Sequence, residues 1–472
     1  MKYREEIHDY IQSKKPEIIE TLKELVKIPS VRREAEENAP FGKECARVLE
    51  FTEKLYQDNG FETDLDQNGG YLLSYYGEGK KTLGIFAHTD VVPVSDDWKL
   101  TSPFQPIEKD GFLVGRGTLD DKSAVVASLY CAKIIKELQI PFNSRLIMFS
   151  GANEESGMED IKNYVSKHTP PDFSLVADTA FPLYRGNKGM LLFNAVCNSS
   201  LSGIKAITGS NAKGAILGKI KVVFDYNEEL YQDLKANESE FIFVVRKDDD
   251  IVLEAVGISK HTALPEGSLN AGGLAFKIMS NCEYFSEENR KQFKFLASLL
   301  SHYYGEAMGV ENYDPEFGKL TFVNDMVEIK DGKLDLHFNM RFGAMVNTDE
   351  LKETIVNEFS KNDFKIHFEC EENAKITEID NPMLQVCLET YKSFTGDTSA
   401  ETYVNAGETY AVHLPCAVEI GTTTRWGAPN GLPEGHGAVH QPDECISIEG
   451  FLGAIELTTL MLLACDKELQ KS

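Results

Sequence analysis

Three apolar runs in the first half of the chain each lead into acidic or imidazole side chains. Residues 83–87 run into His88-Thr89-Asp90, residues 146–149 lead to Asn153-Glu154-Glu155-Ser156-Gly157, and residues 175–177 end on Asp178. Short continuous apolar runs of this kind read as buried strands. In an open α/β sheet, ligand-binding groups collect beyond the carboxyl ends of such strands. Two further segments have the same chemical character: Gly115-Arg116-Gly117-Thr118-Leu119-Asp120-Asp121-Lys122, and His436-Gly437-Ala438-Val439-His440-Gln441-Pro442 near the C-terminus. Histidine and carboxylate are ligand types that divalent cations take, so the pattern points to a hydrolase with more than one metal.

A length of 472 residues bounds the chain at about two or three domains. Residues 18–26 have helical spacing that stops at Ile28-Pro29. Residues 121–138 read as a second helix, with Val125, Leu129, Ala132, Ile135 and Leu138 as its apolar stripe and Asp120 or Asp121 as its cap. This alternation implies a mixed sheet covered by helices on both faces. The character changes after Arg185-Gly186-Asn187. Residues 241–246 and 251–256 read as a hairpin around Asp248-Asp249-Asp250. Residues 334–342 alternate, with Leu336, Phe338, Met340 and Phe342 on one side and His337, Asn339 and Arg341 on the other. Helical patterns follow near 272–280, 291–301 and 349–359, and α/β character returns at Asn381-Pro382, a helix start with proline in its first turn. The expected organisation is an α/β catalytic domain, residues 1–185 and 381–472, with an inserted α+β lid domain over 186–380.

The formal charge of −27 excludes a basic footprint for nucleic acid. It also means that an anionic substrate group must be met by local positive charge. The hydrophobic and charged fractions, 42% and 26%, are ordinary for a soluble globular chain. No apolar run is expected to approach the roughly 18 residues that span a bilayer, and the charged N-terminus has no signal-peptide core; no membrane partner is expected. Nine scattered cysteines, odd in number and without a CxxC pair, argue for reduced thiols, a cytoplasmic location, and ligands other than cysteine.

Each motif has a plainer reading beside the functional one. His88 and Asp90 could be a strand-end histidine beside a turn aspartate; as a ligand, His88 needs its second ring nitrogen held, and Asp90 is placed to hold it. Helix capping explains one of Asp120 and Asp121 but not both, and a carboxylate there could bridge two cations. Glu154 and Glu155 repel each other unless a cation lies between them or one acts as a base; one could ligate while the other accepts a proton. Asp178 could equally cap a turn. His436 and His440 would share an ion on a helix, but Gly435, Gly437, Pro433 and Pro442 argue for a loop and hence for one ligand, His440.

Taken in order, HTD, GRGTLDDK, NEESG, AD and HQPDE resemble the aminoacylase/carboxypeptidase clan of two-metal peptidases, most closely its bacterial PepV-type dipeptidase branch, with carnosinases as relatives. The resemblance runs nearly end to end and takes in Trp98 and Pro103-Phe104. It implies that His88, Asp120 and Asp178 hold one metal and that Asp120, Glu155 and His440 hold the other, Asp120 bridging. It implies Glu154 as general base, Asp90 as the group orienting His88, and a cis peptide between Asp120 and Asp121. Gly257-Ile258-Ser259-Lys260-His261 resembles the lid segment whose histidine reaches the scissile carbonyl, which makes His261 an oxyanion donor. Asn339-Met340-Arg341-Phe342 resembles the segment whose arginine clamps the substrate's C-terminal carboxylate, which gives that role to Arg341. The chain departs from the pattern at Asn153, where an acid is usual, at Glu408 and Val412 in a stretch otherwise glycine-rich and ending in arginine, and at Cys445, where an aromatic is common.

The expectation is a cytoplasmic, monomeric metallodipeptidase with two divalent ions, zinc first and manganese or cobalt as alternatives. It would cleave short peptides with a free C-terminus by a two-metal-activated water and a glutamate base. The rival readings are an N-acyl amino-acid amidohydrolase on the same scaffold and a binding protein that keeps the fold without turnover.

Overall fold

The computed structural model describes residues 2–199, 201, 203–209 and 213–471. They form two units, Met1–Gly186 with Ile376–Ser472, and Asn187–Lys375. The first is α/β and the second α+β.

In the first unit the main sheet runs in the spatial order Glu62–Asp66, Tyr71–Tyr76, Arg145–Gly151, Thr82–His88, Phe173–Thr179, Ala417–Gly421, Tyr184–Asn187. The central strands are parallel. Thr82–His88 pairs in parallel with both Arg145–Gly151 and Phe173–Thr179, and Ala417–Gly421 pairs in parallel with Phe173–Thr179. Register then decides what shares an edge. His88 sits opposite Gly151, Phe86 opposite Val176, and Gly421 opposite Thr179. The carboxyl ends of these strands therefore form one row, with His88 and Asp178 on it and Glu154 and Glu155 just beyond Gly151.

The helix Lys122–Glu137 is buried along nearly its whole length rather than on a single stripe. It packs against the strand Thr82–His88 and against the helices Arg4–Val26 and Ile448–Leu469, so it has no solvent face to leave polar. Ile448–Leu469 is long and apolar enough by length and composition to cross a bilayer, and 78% of its apolar window is buried within the protein. This corrects the expectation that no apolar run approaches that length: Glu449, Glu456 and Asp466 break the run in the sequence, but the helix is apolar on average. Asp466 is satisfied locally, accepting from the backbone N–H groups of Asn143 and Ser144 at 3.0 and 2.8 Å. The helix Pro382–Thr395 begins as its sequence predicts, with the Asn381 side chain capping the N–H groups of Met383 and Leu384.

The second unit is built on an antiparallel sheet in the order Ile242–Lys247, Asp250–Val256, Lys219–Asp225, Ile204–Gly209, Thr321–Lys330, Lys333–Phe342, Gly189–Cys197, Phe364–Glu372. The hairpin closes through Asp248 and Asp249, with Asp248 in the left-handed region at φ 55° and Lys247 opposite Asp250. Leu336, Phe338, Met340 and Phe342 face the core, where Phe338 stacks on Phe193 at 5.2 Å. The other face of that strand is not a solvent face. Of its residues His337, Asn339 and Arg341, the first two are buried and Arg341 is partly exposed. His337 is retained there by Asp325, whose Oδ1 lies 2.5 Å from its Nδ1.

Candidate metal centre

His88 ends its strand fully buried, and its ring is fixed from behind. Nδ1 lies 3.0 Å from the backbone carbonyl of Asp90. A carbonyl only accepts, so Nδ1 carries a proton and Nε2 is the nitrogen left to face a cation. Nε2 faces Asp120 Oδ1 at 3.0 Å and Asp178 Oδ1 at 3.6 Å. The Asp90 carboxylate stands further off, at 3.4 Å. Its two oxygens instead accept the backbone N–H groups of Glu154 and Glu155, each at 3.1 Å. Asp90 therefore serves His88 through its main chain and the glutamate pair through its side chain.

Asp120 is the central group. Its Oδ1 meets His88 and its Oδ2 lies 2.9 Å from His440 Nε2. The same His440 nitrogen is 3.1 Å from Glu155 Oε2. Glu154 comes together with His88 and Asp178, each offering an atom within 4.8 Å of the others, and His88, Asp120 and Glu155 form a second such group. The peptide between Asp120 and Asp121 is cis. Asp121 occupies the helix N-cap position without a side-chain cap, and its Oδ2 accepts the His88 N–H at 3.1 Å. His436 is committed elsewhere, with Nδ1 2.7 Å from Asp443, which leaves His440 as the ligand candidate of that loop.

The donor set suits divalent cations on a structural ground as well as a chemical one. Glu155 Oε1 and Asp121 Oδ1 are buried and have no hydrogen-bond partner among the described residues. A buried carboxylate oxygen without a donor is costly unless a cation takes it. The electrostatics agree. Burial, with Asp178 close by, raises the Glu154 carboxyl well above the usual range, and burial beside Asp120 pushes Glu155 up to about 7. Against the desolvation that would lower them, the surrounding carboxylates hold the imidazoles up, His88 well above its ordinary value and His440 at about 11. Below those values both rings carry an extra proton that a metal must displace. Cation affinity is therefore expected to rise with pH through neutrality, with protons released by the two histidines and by Glu155. Calorimetric Mn²⁺ titrations in buffers of different ionisation enthalpy check this; a binding heat that does not change with buffer would contradict it.

Several residues that hold the centre were not picked out by sequence reasoning. Glu444, fully buried, accepts from the N–H groups of Gly117, Leu119 and Asp120 at 3.0, 2.9 and 3.1 Å, and pairs with Arg116. Asp160, fully buried, accepts from the Asn153 N–H at 2.8 Å and from the Tyr410 hydroxyl, and burial pushes its carboxyl up to about 7. Gly151 is required beneath it, since a Cβ there would lie 2.0 Å from the Tyr410 hydroxyl and 2.3 Å from Asp160 Oδ2. Lys122, also buried, donates to the carbonyls of Leu25 and Ile28 at 3.1 and 2.6 Å and ties the end of the first helix to the ligand loop. The one available signal was residue type: charged side chains inside glycine-rich or proline-containing motifs that turn out to be buried.

The departures find local uses. Asn153 is buried, where an unpaired acid would be costly, and its Oδ1 accepts the Glu159 N–H at 3.1 Å. Val412 packs against the cluster of Tyr71, Phe149 and Tyr410. Glu408 lies half-buried just before that turn. Cys445 is buried in the strand that pairs with Phe112–Val114.

His261 and Arg341 belong to the second unit. His261 is exposed, in a segment bridged to Ala215, and its Nδ1 accepts the Ala263 N–H at 3.2 Å. In the neutral ring that leaves the proton on Nε2, the form that can donate. Arg341 is half-buried with Nε donating to Asn339 Oδ1 at 3.1 Å. In the first unit, beside the ligand cluster, lies a cavity of about 260 Å³ lined by Leu119, Asp120, Asp178, Tyr184, Trp426 and Val439. A larger groove of about 1020 Å³ along Arg4, His8, Arg425 and Glu456 includes none of the clustered donors.

A sequence profile of Peptidase family M20/M25/M40 matches residues 84–464. A Staphylococcus haemolyticus protein, named provisionally as a dipeptidase, is 26% identical over 480 residues, spanning 96% of this chain and 97% of its own length. Among solved structures, human carnosine dipeptidase 1 superposes with a TM-score of 0.59 at 16% identity, covering 98% of this chain and 100% of that one. The M20 family metallo-carboxypeptidase Sso-CP2 of Sulfolobus solfataricus also gives 0.59, at 17% identity, covering 96% of this chain and 99% of that one.

Proposed function

Because the chain belongs to peptidase family M20/M25/M40, we propose that it is a dipeptidase of the PepV type, cleaving the one peptide bond of substrates with a free C-terminus. Peptide hydrolysis and the use of divalent metal come with that membership. The observation that carries the two-metal reading is the Asp120 carboxylate, one oxygen toward His88 and the other toward His440. One cation would be held by His88, Asp120 and Asp178, and the other by Asp120, Glu155 and His440. Zinc is the first choice, with manganese and cobalt compatible with the same donors. When bound, such cations supply Lewis acidity to water and to the scissile carbonyl.

The remaining work falls to the chain's own side chains. Glu154, whose carboxyl is raised by its burial among other acids, takes the proton from the attacking water and returns it to the leaving amine. His261 donates from Nε2 to the oxyanion. Arg341 reads the substrate carboxylate, a local cation in a strongly acidic chain. A panel of free dipeptides run against matched N-acetylated amino acids, with Zn²⁺, Mn²⁺ and Co²⁺ in turn, tests the assignment. Turnover of the dipeptides is expected; preference for the N-acetyl series would turn the reading to an amidohydrolase, and turnover of neither would refute it.

Arg341→Ala is expected to lower kcat/KM for a free dipeptide by about 30- to 1000-fold and to change it far less for the C-terminal amide. Equal losses on the two substrates, or none on either, would show that Arg341 does not read the C-terminus.

A further inference from the structure

We propose that Arg116 and Glu444 form an ionic clamp that positions the loop side of the metal centre, tying His440 to the shared Asp120, while His88 and Asp178 are placed by the sheet without it. The inference rests on the two-cation reading above.

The two halves are built differently. His88 and Asp178 stand at the ends of neighbouring parallel strands, where the hydrogen-bond ladder fixes their separation. His88 is further locked by the Asp90 carbonyl at Nδ1 and by Asp121 at its backbone N–H. His440 has neither support. It sits in a loop, in the left-handed region at φ 64°, and its side chain is 53% exposed, so packing around the ring does little to place it. What holds its backbone is the Arg116 guanidinium, whose Nη2 donates to the His440 carbonyl at 3.1 Å.

The same guanidinium pairs through Nη1 with Glu444 Oε2. Glu444 Oε1 gathers the N–H groups of Gly117, Leu119 and Asp120. One buried ion pair thus joins the peptide that carries the bridging carboxylate to the peptide that carries the loop histidine. Arg116 is 2% exposed and Glu444 is fully buried. Removing one partner of such a pair is costly, because it leaves the other charge buried and uncompensated. Arg116 meets the carboxylate through Nη1 and the carbonyl through Nη2, two nitrogens held apart in one plane; a lysine would have to reach both acceptors from the single nitrogen of a differently shaped side chain.

These are positioning residues, so the readout is stepwise cation binding rather than rate. Metal-stripped protein is titrated with Mn²⁺ by calorimetry, with His440→Ala identifying which of the two steps depends on the loop histidine. Arg116→Lys is expected to weaken that step by about 10- to 100-fold, the usual effect of losing a group that orients a ligand, and to leave the other step unchanged. Glu444→Gln keeps an acceptor for the three N–H groups but loses the ion pair. It is expected to show the same selectivity, and it decides the matter if Arg116→Lys does not fold. Uptake of fewer than two Mn²⁺ by the unmodified protein would overturn the two-cation reading itself. Uptake of two, with both steps weakened alike in the variants or neither weakened, would overturn the clamp alone.

Discussion

Glu154→Gln should bind divalent cations with the stoichiometry of the unmodified protein and lose about 10²- to 10⁴-fold in kcat. The substitution is nearly isosteric and leaves the backbone N–H that Asp90 accepts, so the turn carrying Glu155 keeps its anchor. It removes only the ability to take up and return a proton. Burial and the neighbouring Asp178 raise the Glu154 carboxyl, which suits a group that must hold a proton in the middle of a reaction and release it before the end. The alternative is that Glu154 is itself a ligand, since it comes as near to His88 and Asp178 as a ligand would. The two roles separate cleanly: a base variant retains both metals without the rate, whereas a ligand variant loses a metal with it. Near-normal kcat with full metal content would remove Glu154 from the mechanism.

Asp120→Ala has the larger effect on binding, because one carboxylate serves both histidines. Loss of an ordinary ligand should empty one position; loss of Asp120 should deplete both, and hydrolysis should fall to background. His88 and His440, which both face Asp120, would also lose their shared counter-charge. Elemental analysis of Asp120→Ala after dialysis against each metal gives the answer directly. One cation retained at full occupancy would show that Asp120 belongs to one position only, and that the two histidines do not share it.

Much of this arrangement could be read from the chain because strand ends announce themselves. Apolar runs that stop abruptly at His88 and Asp178 fix both the element and the edge, and the parallel register then brings these side chains to one end of the sheet. Glu154 and Glu155 were legible for the same reason, one turn beyond Gly151. What could not be read was the support. Asp90 could be expected to hold His88, but spacing along a chain does not say whether a side chain or the carbonyl of the same residue does so; here it is the carbonyl. Glu444 and Asp160 lie far in sequence from the peptides they hold, at separations of 324 for Asp120 and 250 for Tyr410, and a local pattern carries no trace of such pairs. The burial of His337 was missed because alternation marks which way a residue points, not whether a second layer covers it.

The division of the chain bears on how the protein is made. The first unit is assembled from two pieces, Met1–Gly186 and Ile376–Ser472, with Asn187–Lys375 contained between them. Its central helix Ile448–Leu469, its parallel strand Ala417–Gly421 and the loop of His440 all come from the second piece. On the ribosome, domains complete in the order their residues emerge. The contiguous unit can therefore close while the other still waits for its last strand and helix. Until then the helix Lys122–Glu137 has no cover on one side, and its apolar surface stays open to chaperones or to neighbouring chains. The nascent chain should pass through a stage in which the later-encoded unit is protease-resistant and the earlier-encoded one is not, an inversion of the usual N-to-C order of maturation.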